Sequence, residues 1–228
     1  PTGNFGNILA AWYAKQIGLP VRRFICASNE NKVLTEFLNT GVYDANRQFY
    51  MTSSPSIDIL VSSNLERLLW HLSGGDSTEI AHYMRQLEDS RRYEVGARIR
   101  TGLTDFHGGF ADMAAAHGVI GRLWREEGYL LDTHTAVAYS AYQDYLRETG
   151  DDTPAVVAAT ASAYKFADSV SACIGLPPQE DGFACIESLH EATGVPVPEG
   201  LKGLKNRPVT QQGVLRPEEM AAAIRERL

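Results

Sequence analysis

The chain has 228 residues, of which 44% are hydrophobic and 21% charged, and its formal net charge is −7. This composition is typical of a globular protein with a sizeable core, and the negative charge argues against a nucleic-acid-binding surface. No signal peptide or membrane-spanning apolar run is visible, so we expect a cytoplasmic protein that binds no membrane. Cys26, Cys173 and Cys185 are far apart and form no CxxC pair, so neither a disulfide framework nor a metal site is predicted.

The first residues, 1–7 (PTGNFGN), form a Gly/Asn-rich turn that leads into an apolar helix over residues 8–14. Gly3 and Gly6 let the backbone approach a ligand closely, and the free N–H groups of the helix start favour an anion. We therefore predict a phosphate site at residues 3–7. Such a loop normally follows a strand, so we expect that the preceding part of the fold lies outside this chain.

The next segments alternate between strand and helix patterns. Residues 24–27 (FICA) are an apolar run suited to a central parallel strand, and residues 28–31 (SNEN) then cap a helix over residues 33–39. This alternation predicts an α/β fold, a doubly wound and mostly parallel sheet with helices on both faces.

Further helices are predicted from apolar spacing and capping signals at residues 65–72, 78–89, 114–127 and 136–147. Two short strands are predicted at residues 129–131 and 154–159, the second ending at Thr160. From Gly175 onward proline and glycine become frequent, which indicates a peripheral extension that closes with a helix beginning at Pro217.

Three polar turns, at residues 3–7, 132–135 and 160–165, are expected at the carboxyl ends of strands. Open parallel sheets bind ligands at these ends. A cofactor with a phosphate at one end and a heteroaromatic ring at the other would span them. Taken singly, each turn also has a plain structural interpretation: a helix start, a helix cap at Thr160, and a capping or core histidine at His134. Spacing alone does not name the ligand.

Six blocks follow one another over about residues 1–170: PTGNFGN (1–7), ICASNEN (25–31), FLNTGVY (37–43), SPSIDILVSSNLER (54–67), DTHTAV (132–137) and TASAYKF (160–166). In these blocks the chain resembles threonine synthase. That family uses pyridoxal 5′-phosphate on the fold-type II scaffold of tryptophan synthase β. Its reaction converts O-phospho-L-homoserine and water to L-threonine and phosphate.

The resemblance implies site residues. The cofactor phosphate is expected at Gly3, Asn4, Phe5, Gly6 and Asn7. Thr160 is expected to face the pyridine nitrogen, where a hydroxyl leaves that nitrogen a poor electron sink and suits β,γ-elimination with water addition. Residues expected to line the same cleft are Ser56, Asp58, Asn64, Arg67, Asp132 and His134.

The resemblance also implies what this chain lacks. The family's Schiff-base lysine lies upstream of the phosphate loop, and none of Lys15, Lys32, Lys165, Lys202 and Lys205 occupies a comparable segment. We therefore expect no catalytic residue here: residues 1–175 are the C-terminal part of the cofactor-binding large domain, and residues 176–228 an extension. The chain alone should be inactive or nearly so, should require the missing N-terminal half as a partner, and should tend to self-associate through exposed apolar surface.

Two alternatives remain open. One is another fold-type II lyase, such as a threonine or serine dehydratase, against which the block at residues 54–67 argues. The other is a non-catalytic domain that binds phosphate or pyridoxal phosphate, which the absent lysine favours.

Overall fold

The computed structural model describes residues 1–210 and 213–226. The chain divides into two compact units, Pro1–Val195 and Pro196–Leu228. The helices of the first unit are α1 (Gly6–Gln16), α2 (Val33–Thr40), α3 (Leu65–Leu72), α4 (Ser77–Ser90), α5 (Ala97–Gly102), α6 (Met113–Glu127), α7 (Thr133–Thr149), α8 (Ala167–Cys173) and α9 (Gly182–Thr193). Its strands are β1 (Phe24–Ser28), β2 (Val42–Asp44), β3 (Arg92–Glu94) and β4 (Phe106–Phe110).

The centre of the first unit is a parallel pair of strands, β1 and β4, in register from Phe24 opposite Phe106 to Ser28 opposite Phe110. A Cβ atom added to Gly108 would lie 2.5 Å from the carbonyl oxygen of Thr35 in α2, and one added to Gly109 would lie 3.1 Å from Cβ of Ala141 in α7. Because successive residues of a strand point to opposite faces, α2 and α7 cover opposite faces of this sheet. The predicted α/β class with helices on both faces is confirmed.

The sheet is smaller than the sequence predicts. Within the described residues β1 pairs only with β4, while β2 and β3 form a separate antiparallel pair. The strands predicted at residues 129–131 and 154–159 are wrong, since both segments lack regular structure, and Val156 is 98% exposed. An apolar run becomes a strand only where a neighbouring strand accepts its backbone hydrogen bonds, and no described segment pairs with these two.

The predicted helices are confirmed with small shifts at their ends. The largest shift is in α7, which begins three residues earlier than residue 136. Asp132 explains this start, because its carboxylate accepts hydrogen bonds from the backbone N–H groups of His134 (2.8 Å) and Thr135 (3.0 Å) and so caps the helix. The glycine-rich region at residues 95–109 contains α5, a short 3₁₀ turn at Leu103–Asp105 and most of β4.

A buried aromatic cluster beside α2 fixes the segment at residues 54–64. Tyr43 stacks on Tyr93 with ring centroids 5.1 Å apart. The Tyr43 hydroxyl donates to the carbonyl of Leu60 (3.1 Å) and accepts from the backbone N–H of Ser62 (2.8 Å). Burial raises the pKa of Tyr43 to about 12. The hydroxyl therefore stays neutral and continues to hold this segment.

The boundary of the first unit lies after α9 and not at Gly175, where the composition changes. The division into residues 1–175 and 176–228 as functional parts therefore stays a prediction. The second unit contains short 3₁₀ turns at Leu204–Asn206 and Pro217–Glu219, and the latter runs into α10 (Met220–Arg225). None of the described helices combines the length and apolarity that a membrane span requires.

Candidate functional site

The loop at residues 3–7 presents backbone N–H groups at the start of α1. Phe5 adopts a left-handed conformation with φ 60°, and its fully buried ring lies 5.8 Å from that of Phe106. The N–H groups of residues 3–7 donate to none of the described residues, and Asn4, Gly6 and Asn7 are exposed. Free N–H groups at a helix N-terminus bind phosphate without a basic side chain. The loop therefore fits the phosphate of a cofactor.

A second segment supports this loop from behind. The carbonyl of Asn4 accepts hydrogen bonds from the backbone N–H (3.2 Å) and the side-chain amide (2.8 Å) of Asn64. Gly3 lies so close that an added Cβ would be 2.8 Å from Cδ1 of Ile59 and 3.1 Å from Cα of Ile57. Residues 57–64 are therefore the structural support of the predicted phosphate loop.

Asp58 lies within this support and is saturated with hydrogen bonds. Its Oδ1 accepts from Asn29 Nδ2 (2.6 Å), Asn31 Nδ2 (3.1 Å) and Thr52 Oγ1 (2.7 Å), and its Oδ2 accepts from the Thr52 backbone N–H (2.8 Å). The carboxylate thus ties the segment before α3 to the turn that follows β1. Its observed contacts are internal to the chain.

His134 connects the start of α7 to the same segment. It is 1% exposed, and its Nε2 accepts the backbone N–H of Ser56 (3.1 Å), so the proton of the neutral ring resides on Nδ1, which faces the Asp132 carboxylate at 3.6 Å. Burial by itself would raise the pKa of Asp132, but hydrogen bonds from His134 and Thr135 outweigh it and hold that pKa below its ordinary value. The Ser56 N–H therefore sets the tautomer of His134, and the ionised Asp132 carboxylate nearby favours the resulting Nδ1–H electrostatically.

Two of the three predicted turns meet through one short element. The 3₁₀ turn Pro55–Ile57 touches Gly3 through Ile57 and His134 through Ser56. Directly after the third turn, the Phe166 ring lies 4.7 Å from the His134 ring. The structure therefore brings Ser56, Asp58, Asn64, Asp132 and His134 into one connected group behind the loop at residues 3–7.

Two predicted site residues bring no side chain into this group. Among the described residues Thr160 makes no contact with the group, and Arg67 meets it through its backbone N–H, which donates to the carbonyl of Asn64 (3.1 Å). Thr160 is exposed, and because residues 154–159 form no strand it does not lie at a strand end. Arg67 is exposed on α3 and lines an open groove with Tyr13, Trp70 and His71. A role for either residue at the cofactor stays a prediction.

Three residues of the network have no site role predicted from the sequence: Asn29, Asn31 and Thr52. The sequence predicts Asn29 and Asn31 as part of a helix cap and of a family block. The sequence does contain a signal for Asn29 and Asn31. Both follow the carboxyl end of a buried strand, and ligand sites of parallel sheets lie at such ends. In the described part of the chain, no group of three or more His, Cys, Asp or Glu side chains is arranged to hold a metal ion.

Comparisons with known proteins show similarity to threonine synthases. Residues 135–224 match the family model described as threonine synthase, C-terminal. Threonine synthase-like 1 of Macaca fascicularis is 42% identical over 172 residues, which are 75% of this chain and 23% of that protein. The crystal structure of threonine synthase from yeast matches 99% of this chain and 46% of its own, with a TM-score of 0.83 and 30% identity. PLP-bound threonine synthase from Brucella melitensis matches 83% of this chain and 40% of its own, with a TM-score of 0.72 and 35% identity.

These matches confirm the resemblance predicted from the sequence blocks and the fold-type II α/β architecture. They also define its extent. The chain spans about a quarter of the length of the first curated relatives, 23% in each, and less than half of the two solved chains.

Proposed function

We propose that this chain, which corresponds in sequence and fold to the C-terminal portion of threonine synthases, supplies the cofactor-phosphate loop of such an enzyme. The whole enzyme would convert O-phospho-L-homoserine and water to L-threonine and phosphate, in the cytoplasm. The observation that carries the proposal is the loop at residues 3–7, with its free N–H groups and a glycine packed against its support.

Pyridoxal phosphate is the cofactor that the loop suits. Gly3, Asn4, Phe5, Gly6 and Asn7 would hold its phosphate through backbone N–H groups, and Thr160 would hydrogen-bond the pyridine nitrogen. When bound, pyridoxal phosphate supplies the electron withdrawal that makes protons of an amino-acid substrate acidic. The chain's own part is to bind and orient: Asn64 holds the loop, and Asp132 and His134 hold the turn behind it.

We propose that the lysine that binds the cofactor covalently lies outside this chain. The surroundings of its lysines support this. Lys15 pairs with Asp105 (2.7 Å), Lys32 lies 4.1 Å above the Phe110 ring, and Lys165 is exposed. Lys202 pairs with Glu199, and Lys205 belongs to the second unit. A lysine that binds the cofactor covalently needs a desolvated position beside the pyridine ring. The surroundings of these five lysines do not provide one.

The partner in this proposal is the N-terminal portion of the enzyme. Residues 154–160 (PAVVAAT) are apolar and mostly exposed, and they lie between segments that are well anchored. Before the segment, Asp151 accepts hydrogen bonds from Arg22 (3.0 Å) and from the Tyr145 hydroxyl (2.6 Å). After it, the Phe166 ring packs on the His134 ring. An extended apolar segment without a strand partner is a site for strand addition, or for self-association when the partner is absent.

The test has two steps. In the first, the chain is incubated with pyridoxal phosphate, reduced with borohydride and mapped by peptide mass spectrometry. We expect no stoichiometric adduct on any lysine. Stoichiometric labelling of one lysine would contradict the proposal that the cofactor lysine lies outside this chain.

In the second step, the N-terminal portion of a threonine synthase is supplied as a separate chain and phosphate release from O-phospho-L-homoserine is measured. We expect release with equimolar L-threonine only from the mixture. Variant Gly3→Ala should weaken this activity, because its Cβ would press on Ile59 and Ile57, whereas Gly118→Ala, which meets nothing within 4 Å, is the matched control. Formation of pyruvate or 2-oxobutanoate from serine or threonine would instead identify a dehydratase. A soluble complex that does neither would indicate a binding domain.

A further inference from the structure

Asp58 is the most heavily bonded carboxylate near the phosphate loop, yet none of its described contacts is to the loop itself. Its two oxygens accept four hydrogen bonds, from Asn29, Asn31 and twice from Thr52. Asn29 and Asn31 belong to the turn after β1, so these bonds tie residue 58 to the carboxyl end of the central strand.

The two neighbours of Asp58 in the chain are the residues on which the loop rests. The atoms closest to a Cβ added at Gly3 are Cδ1 of Ile59 (2.8 Å) and Cα of Ile57 (3.1 Å). A displacement of residue 58 would therefore move the surface beneath Gly3. It would also move Ser56, whose N–H donates to His134.

We propose that Asp58 is a positioning residue for the cofactor phosphate: it holds Ile57 and Ile59 against Gly3 and so fixes the direction of the loop's N–H groups. The identity of the ligand rests on the proposed function above, whereas the mechanical link does not. The family resemblance implies that Asp58 lines the cleft, and a positioning role behind the loop differs from that expectation.

The donor pattern explains why a carboxylate is required. The side-chain amides of Asn29 and Asn31 and the backbone N–H and hydroxyl of Thr52 all donate to residue 58. A carboxylate only accepts hydrogen bonds, so it matches all four donors. In Asp58→Asn, one side-chain position becomes an NH₂ group that faces the amides of Asn29 and Asn31. The exchange of the two residue types, Asn29→Asp with Asp58→Asn, turns the conflict at residue 29 into a donor–acceptor pair, because residue 29 then accepts what residue 58 donates. The Asn31 amide keeps its two other acceptors, the Tyr50 carbonyl (2.8 Å) and Oδ1 of residue 29 (3.2 Å).

The experiment compares four forms of the chain: wild type, Asp58→Asn, the double variant, and Asp89→Asn as an exposed control on α4. Amide hydrogen exchange is followed by NMR at two bonds that anchor the loop, Asn64 N–H to Asn4 and Thr2 N–H to Ala27 (both 3.2 Å). Affinity for pyridoxal phosphate is measured by the shifts of the Gly3 and Gly6 amide signals.

We expect exchange at Thr2 and Asn64 to be roughly 10-fold faster in Asp58→Asn, with exchange in α7 unchanged, and to return to within about 3-fold of wild type in the double variant. Pyridoxal phosphate affinity should fall and recover in parallel. The unchanged exchange in α7 distinguishes this local effect from a global loss of stability. Unchanged exchange at Thr2 and Asn64 in Asp58→Asn would overturn the inference, as would a double variant no better than the single one.

Two further outcomes keep the tests separate. If Asp58→Asn does not fold, the double variant decides alone: wild-type exchange at Thr2 and Asn64 supports the inference, and fast exchange overturns it. If wild type binds no pyridoxal phosphate, the proposed function loses its support, while the exchange data still test the mechanical link.

Discussion

Replacing Gly108 by alanine tests how closely α2 lies on the central sheet. The added Cβ would lie 2.5 Å from the Thr35 carbonyl oxygen, 2.8 Å from its Cα and 3.0 Å from its carbonyl carbon. All three are backbone atoms of a helix, so no side-chain rotation relieves the overlap. α2 must move away by several tenths of an ångström or the strand must bend.

The size of the effect follows from what that movement disturbs. Overpacking a well-packed site costs about 1–3 kcal/mol. The upper part of that range applies here, because two bonds between α2 and β4 depend on the same spacing: Thr35 Oγ1 to the Gly109 carbonyl (2.7 Å) and Asn39 Nδ2 to the Gly108 carbonyl (3.1 Å). For a chain of this size each kcal/mol corresponds to roughly 2–4 °C in Tm. We expect Gly108→Ala to lower Tm by about 4–12 °C.

The matched control is Gly118→Ala in α6, where an added Cβ meets nothing within 4 Å. The same substitution should there stabilise the chain by about 0.5–1 kcal/mol, because alanine loses less conformational entropy in a helix than glycine. Thermal and urea unfolding followed by circular dichroism measure both variants. A Gly108→Ala variant as stable as wild type would show that the close contact between helix and sheet is not what requires glycine.

The remaining predictions concern the site and its partner surface. Asp132→Ala should cost about 1–2 kcal/mol at pH 7 by removing the α7 cap; because the pKa of Asp132 is lowered in the fold, this difference should shrink as urea unfolding is repeated below about pH 4. Tyr43→Phe leaves the buried Ser62 N–H without an acceptor and should cost about 1–3 kcal/mol. Since the folded pKa of Tyr43 is raised to about 12, the wild type should lose stability as pH rises from about 10 to 12, and the variant should lose less. Val156→Lys should change the chain's own unfolding free energy by less than about 0.5 kcal/mol, as expected for an exposed residue, yet it should weaken assembly with the N-terminal portion in a titration followed by analytical ultracentrifugation; unimpaired assembly would contradict a docking role for residues 154–160.

The features that were predictable from the sequence are those decided by short-range interactions. The loop at residues 3–7 combines glycine conformational freedom with the N–H groups of the helix that follows, and both properties are local. The leucine spacing of α3 is likewise set by residues within two helical turns. The family resemblance rests on contiguous blocks of the same kind and is confirmed by the comparisons.

What only the tertiary structure decided involves residues far apart in the chain. Residues 154–159 have the composition of a strand and still form none, because a strand depends on a neighbour to accept its hydrogen bonds. Asp58 was predicted to line the cleft, but its described partners include Asn29 and Asn31, 29 and 27 residues away. A carboxylate takes its role from the donors that surround it, and the packing of the 54–64 segment against β1 brings those donors together.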